Sequence, residues 1–130
     1  MIMIPGSEEY LSEFHNGYLT CALWASTGED GEPLDGLYTL NDVHASTEDS
    51  TLRECEDFIK ANRADLAEYA DVTGYAADYA GHDFFLTRNR HGAGFWDRGA
   101  GDVGDRLSDA ARACGEADFY AGDDNYVHAS

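Results

Sequence analysis

Between His82 and Arg98 the chain gathers nearly every kind of side chain that binds a ligand or carries a reaction. The stretch Gly81-His82-Asp83-Phe84-Phe85-Leu86-Thr87-Arg88-Asn89-Arg90-His91-Gly92-Ala93-Gly94-Phe95-Trp96-Asp97-Arg98-Gly99 places three arginines among two histidines and two aspartates. Arg88 and Arg98 could each clamp a carboxylate or phosphate through two parallel hydrogen bonds, and Trp96 offers a flat stacking face. The ligand-binding candidates are Arg88, Asn89, His91, Trp96, Asp97 and Arg98. A site built from them requires a concave pocket where Arg88, Asn89, His91, Trp96 and Asp97 converge. The plainer alternative is a core segment in which Phe84, Phe85, Leu86, Phe95 and Trp96 pack. Asp83 and Asp97 would then merely tie down Arg88 or Arg98.

No complete catalytic signature accompanies this density, and no catalytic residue, metal ligand set or cofactor is assigned. A hairpin running into a helix with His, Asn and His nearby is similar to the ββα-metal centre of HNH-type nucleases, which draws histidine ligands from its helix. The helix here supplies only Asp105 and Asp109, and a net charge of −18 repels DNA. The run Gly99-Ala100-Gly101-Asp102-Val103-Gly104 has dinucleotide-fingerprint spacing, but no buried strand of a βαβ unit precedes it and Asp102 would repel a pyrophosphate. Cys21, Cys55 and Cys114 are odd in number and form no CxxC pair, so neither a disulfide framework nor a zinc ribbon follows. Free cysteines suit a reducing interior.

The elements that must position these groups follow from periodicity. Ser7 with Glu8 and Glu9 reads as a helix start, and Tyr10, Leu11, Phe14, Tyr18, Cys21 and Trp24 recur at helical spacing to Ala25, with Gly17 a weak point. Residues 28–33 form a turn, and 34–43 an irregular packed connection. A second helix starts near Thr47 or Ser50 and runs to Ala64 or Tyr69; residues 70–80 read as loop. Alternation makes Asp83 to Asn89 a strand, paired through Arg90-His91-Gly92 with Gly94 to Asp97. A third helix covers Asp102 to Cys114, stopped by Gly115. Ala117–Ala121 and Asn125–His128 pair as a last hairpin. The expectation is one α+β domain over residues 1–130: a small antiparallel sheet of two hairpins, with about three helices packed mainly on one face.

At 130 residues with 43% hydrophobic and 12% aromatic content, the chain can fill a core without staples. Its charge is uneven. Residues 29–57 hold ten carboxylates and one arginine, whereas the stretch 82–98 is net +1. Glu29, Asp30, Glu32, Asp35, Glu48, Asp49, Glu54, Glu56 and Asp57 are therefore candidates for an acidic interaction surface. Such a surface excludes direct binding to nucleic acid or anionic membrane and suits a protein partner, above all a basic nucleic-acid-binding one; it also fits a cationic ligand, or solubility alone. Met1 to Gly6 has neither the basic start nor the apolar run of a leader, and no stretch nears the roughly 20 apolar residues of a membrane span. A cytoplasmic protein is expected.

The segments Tyr18–Thr27, Gly31–Asp35, Gly81–Arg98 and the turn Gly122-Asp123-Asp124 resemble an uncharacterised family of small acidic proteins from tailed bacteriophages and related mobile elements. That family has no established activity, so the resemblance transfers no site residue. What it implies is origin, a phage accessory protein made in a bacterial host cytoplasm. Three functions stay open. The first is a non-enzymatic acidic protein that modulates a host or phage factor, as a nucleic-acid mimic or in an anti-defence role. The second is a small enzyme or ligand-binding protein using the 82–98 segment. The third is a structural, virion-associated module.

Overall fold

Helix α1 (Glu8–Ala25) starts where its sequence signals it. Ser7 Oγ accepts the Tyr10 N–H at 3.0 Å, with Glu8 and Glu9 on the positive end of the helix dipole. The computed structural model describes residues 4–130; Met1, Ile2 and Met3, part of the segment expected to lack a leader, lie outside the described residues. Phe14, Tyr18, Cys21 and Ala22 are completely buried. Gly17 is no flaw in this helix. A methyl group there would stand 2.0 Å from the carbonyl oxygen of Asp78, and one at Gly81 would stand 1.9 Å from that of Phe14. The two glycines let α1 and α4 (Ala77–Arg88) cross with their backbones in contact.

The expected first hairpin does not form. Asp83 to Arg88 is the second half of α4, and Phe95–Asp97 is one turn of 3₁₀ helix. Alternation misleads here because α4 is the central element. Nine of its residues are buried, including all of Asp83 to Arg88, so it has no polar stripe to declare a 3.6-residue period. Its aromatic rings reach both ways. Phe84 stacks on Phe58 at 4.1 Å, and Phe85 meets Tyr18 edge-on at 5.4 Å. Arg90, assigned to a hairpin turn, instead ends α4: it adopts φ 58°, its N–H reaches Thr87 O, and the His91 N–H reaches Leu86 O. That is the pairing of a Schellman motif, with arginine where glycine usually stands.

The expected second helix is two. Helix α2 (Ala45–Ala61) and α3 (Arg63–Thr73) break at Asn62, whose side chain caps the Phe58 carbonyl at 2.9 Å. Residues 70–80, read as loop, are the end of α3, a short connection and the start of α4. Helix α5 (Asp102–Ala113) follows, burying Val103, Leu107 and Ala111. Strands β1 (Phe119–Ala121) and β2 (Val127–Ala129) pair antiparallel with Tyr120 opposite His128. This hairpin leans on the start of α2, where the His44 N–H donates to Val127 O at 2.9 Å and the Ala129 N–H to Thr47 Oγ1 at 3.2 Å. Among the described residues the chain is 62% helical, with five α-helices and a single two-stranded sheet. The α+β expectation of two hairpins under about three helices is therefore corrected to a mostly helical fold around α4. No helix of the described residues is long and apolar enough to cross a membrane.

Candidate functional site

Two ionisable side chains of α4 are buried, and each is matched within the fold. Arg88 is 3% exposed. Its Nε donates to Gly115 O at 2.8 Å and its Nη2 to Cys114 O at 3.3 Å, both orphan carbonyls at the C-terminal end of α5. Its Nη1 donates to Tyr18 Oη at 3.1 Å and to Glu54 Oε2 at 3.0 Å. Burial on its own would lower the Arg88 pKa, but Tyr18 and Glu54 more than offset it and hold the guanidinium above its ordinary range. One side chain thus joins α4 to α1, α2 and the end of α5.

Asp83, fully buried, is the second. Its Oδ2 accepts the Tyr69 hydroxyl at 2.5 Å, and its Oδ1 accepts from Arg98 Nε at 3.2 Å and Nη2 at 2.7 Å. Hydrogen bonding to Asp83 raises the Arg98 pKa, against a smaller opposing effect of burial. Burial first, and then the bond to Asp83, pushes the Tyr69 phenol well up, so it stays neutral. Tyr69 had no signal in the sequence, because its partner lies 14 residues away on another helix.

The remaining candidates are dispersed. Asn89 closes the end of α4: its Nδ2 donates to Phe85 O at 3.0 Å and its Oδ1 accepts from the Ala117 N–H at 2.9 Å. His91 and Asn89 line an open cleft of about 410 Å³ beside Glu116 and Asp118. Arg88 faces a different cleft, of about 500 Å³, between α2 and α5. Asp97 turns back to accept the Gly94 N–H at 3.0 Å and lies 3.7 Å from Arg98, while Trp96 is half-exposed. Arg88, Asn89, His91, Trp96 and Asp97 do not converge on one pocket.

No family model, curated protein or solved structure matches this chain.

The acidic candidates also divide. Glu54 is bound to Arg88, Asp49 pairs with Arg53, and Glu56 stands 3.9 Å from Lys60. Glu48 and Asp57 are exposed on α2. Asp57 lies beside the 500 Å³ cleft. Glu29, Asp30 and Glu32 differ in two ways. They form no ion pair among the described residues, and they line a cleft of about 300 Å³ together with Asp123, from the hairpin turn at the far end of the sequence. Leu37 stands at this cleft 77% exposed, next to the half-buried Tyr38. Asp35 is exposed on the short 3₁₀ turn Leu34–Gly36 in the same loop. Asp123, Leu37 and Tyr38 were absent from the acidic set read from sequence. A cluster of like charges can mark the 29–35 segment, but only folding brings residue 123 to it.

The two buried thiols and the buried His15 are packed within the fold. Burial drives the Cys21 thiol up to about 12 and Cys55 higher still, the opposite of an activated nucleophile. His15 is buried, its Nε2 2.8 Å from Thr51 Oγ1, whose own hydroxyl donates to Thr47 O at 2.7 Å; the ring nitrogen therefore donates. Among the described residues no group of three His, Cys, Asp or Glu is placed to hold a metal ion.

Proposed function

We propose that this chain is a non-enzymatic acidic accessory protein of phage type that binds and modulates a basic, nucleic-acid-binding protein of its host or phage. Its carboxylates would take the places that phosphates occupy on that partner. The observation that carries the reading is the cleft lined by Glu29, Asp30, Glu32 and Asp123, which form no ion pair among the described residues, come from segments far apart in sequence and share the cleft with the exposed Leu37. Uncompensated charge at one place steers a basic partner and sets the on-rate. An exposed apolar side chain at the same cleft adds the desolvated contact that a purely ionic surface lacks. The two ion pairs of α4, each with one partner buried, also favour this reading over a catalytic one, since Arg88, Arg98 and Asp83 are consumed in holding the fold.

The test is a pull-down from a nuclease-treated bacterial lysate with the immobilised protein. The expected catch is a nucleic-acid-binding protein that duplex DNA competes away and that elutes between about 0.1 and 0.5 M salt. The triple substitution Glu29→Gln, Asp30→Asn, Glu32→Gln should abolish the catch while leaving the circular dichroism unchanged. An empty pull-down, or a partner indifferent both to DNA and to the triple substitution, defeats the proposal.

A further inference from the structure

The outer side of α1 differs from the rest of the surface in carrying no charge along most of its length. Residues 14–28 include no Asp, Glu, Lys or Arg, in a chain of which 26% is charged. Burial accounts for the inward half of that run. It does not account for Asn16, Thr20 and Trp24, which are exposed. Their four-residue spacing puts them in one stripe about 12 Å long. By contrast, α2 exposes Glu48, Asp49 and Arg53, and α5 exposes Asp102, Asp105 and Arg106.

Trp24 is 57% exposed, and its ring lies 6.0 Å from that of His82 on the neighbouring α4. Burial lowers the His82 pKa, with Arg98 adding to the effect and Asp83 and Asp78 opposing it, so the ring is neutral at pH 7. Tyr79, one turn earlier on α4, is also exposed and extends the aromatic area. Charged groups mark the edges of this face. Glu13 stands one turn before Asn16, and Asp78 lies in the first turn of α4, on the positive end of its dipole. Arg98, beside His82, is bound to Asp83. Depletion of charge with retention of Trp and Tyr is the composition of the centre of a protein interface. These residues line none of the clefts at Glu29, at His91 or between α2 and α5, so the face suits a protein surface rather than a small molecule.

The missing charge also identifies the partner. A basic protein is drawn to the carboxylates elsewhere on the chain, and at a neutral face its cations would lose water without gaining a counter-charge. A second copy has the opposite requirement. In a two-fold contact the same patch meets itself, so any charge near its centre faces its own sign. Thr20 is the middle residue of the stripe and lies nearest the axis when two α1 stripes cross.

We propose that the uncharged face of α1, carrying Thr20 and Trp24, is the contact between two copies of this chain in a two-fold dimer. The face is small and each copy carries a charge of −18, so the dimer is weak at low salt and tightens as salt screens the repulsion. The complex with a basic partner responds to salt in the opposite sense, and neither proposal depends on the other.

Sedimentation equilibrium of the full chain, at about 10 µM to 1 mM protein and in about 0.05 and 0.5 M sodium chloride, reads the association directly. The expected result is a monomer–dimer equilibrium with a dissociation constant of about 100 µM at the higher salt, weakened about tenfold at the lower. Trp24→Ala should weaken it by about tenfold or more. Thr20→Glu and Thr20→Lys should each weaken it about tenfold, because either charge meets its own copy, and an equimolar mixture of the two variants should associate again. Both replacements are better helix formers than threonine at this exposed position, so circular dichroism and the thermal transition should hold. A chain still monomeric at about 1 mM in the higher salt, an association that salt weakens, or one that Trp24→Ala and the Thr20 variants leave intact overturns the proposal. So does a monomeric chain that loses a pulled-down basic partner on Thr20→Glu, which would assign the face to that partner.

Discussion

Replacing Gly81 with alanine should destabilise the protein although alanine is the better helix former. In α4 the exchange gains about 1 kcal/mol of helix propensity. The added methyl, however, would lie 1.9 Å from the carbonyl oxygen of Phe14 and 2.8 Å from its carbonyl carbon. Both atoms belong to the α1 backbone and cannot rotate away, so the helices must part by roughly 1.5 Å to reach an ordinary contact of about 3.4 Å. A gap of that size forfeits a large share of the dispersion between Phe14, Tyr18, Phe84 and Phe85, which face one another across this crossing. Overpacking at the upper end of its usual range costs about 3 kcal/mol, leaving a net loss of about 2 kcal/mol. In a domain of this size that lowers the melting temperature by roughly 8 °C. The assay is thermal unfolding of wild type, Gly81→Ala, Gly17→Ala and the double variant. Gly17 faces the Asp78 carbonyl oxygen at 2.0 Å, so the second alanine enters a gap that the first has opened and the double variant should lose less than the sum. A melting temperature that rises with Gly81→Ala, or losses that add in full, would refute backbone contact between α1 and α4.

Arg88→Met should cost about 2–3 kcal/mol in urea unfolding with an unchanged m-value, because Tyr18 Oη and the carbonyls of Cys114 and Gly115 lose their donor while the half-exposed Glu54 returns to water. A side chain kept only for a ligand would leave the midpoint where it is. Arg90→Gly should stabilise by about 0.5–1 kcal/mol, since arginine at φ 58° occupies a left-handed position that glycine adopts freely; a lower urea midpoint would speak against that conformation. Burial holds the His15 pKa below its ordinary 6.5. Above that pH both states are neutral, and as pH falls the unfolded chain takes up a proton that the folded chain refuses, so stability drops from about pH 6.5 downward. His15→Gln should show a shallower loss between about pH 7 and pH 5 in urea midpoints, and an unchanged slope would exclude a buried neutral His15. A maleimide should label Cys114 in the native protein and reach Cys21 and Cys55 only in denaturant, because Cys114 is exposed and the other two are buried; three equally fast thiols in native buffer would contradict the packing of α1 and α2.

Legibility of the fold followed exposure. Helices α1 and α5 could be read because each keeps one wet side: α5 buries Val103, Leu107 and Ala111 at helical spacing while Asp102, Asp105 and Arg106 face out, and α1 carries its own cap at Ser7. Helix α4 could not. It is wrapped by α1, α2 and α5, so Phe84, Phe85 and Leu86 follow one another without a polar residue, and six residues of such a pattern satisfy a strand as well as a helix. A strand period over Asp83 to Asn89 makes Arg90-His91-Gly92 a turn and Gly94 to Asp97 the partner strand, so a single wrong period yields a whole hairpin. The glycines could have argued against it. Gly17 within a strong helical pattern and Gly81 just before an aromatic run are what two crossing helices in backbone contact require, although neither residue alone says which partner it meets.

The same burial explains why the chemistry read from 82–98 turned inward. A dense set of Asp, Arg, Asn and His has the same composition whether it faces a ligand or replaces water around a central helix. What separates the cases is the number of internal partners. Arg88 has four, Asp83 has two side chains, and Asn89 uses both ends of its amide on the backbone. A binding side chain needs valences left over, and these have few. Carboxylates such as Glu29 and Glu32 are the opposite case. They stand at a cleft, and among the described residues neither forms an ion pair. In a chain with 26 carboxylates and eight lysines and arginines, the basic residues run out first. Two of them, Arg88 and Arg98, are spent on the ion pairs of α4, so the negative charge that remains falls to the surface and its clefts.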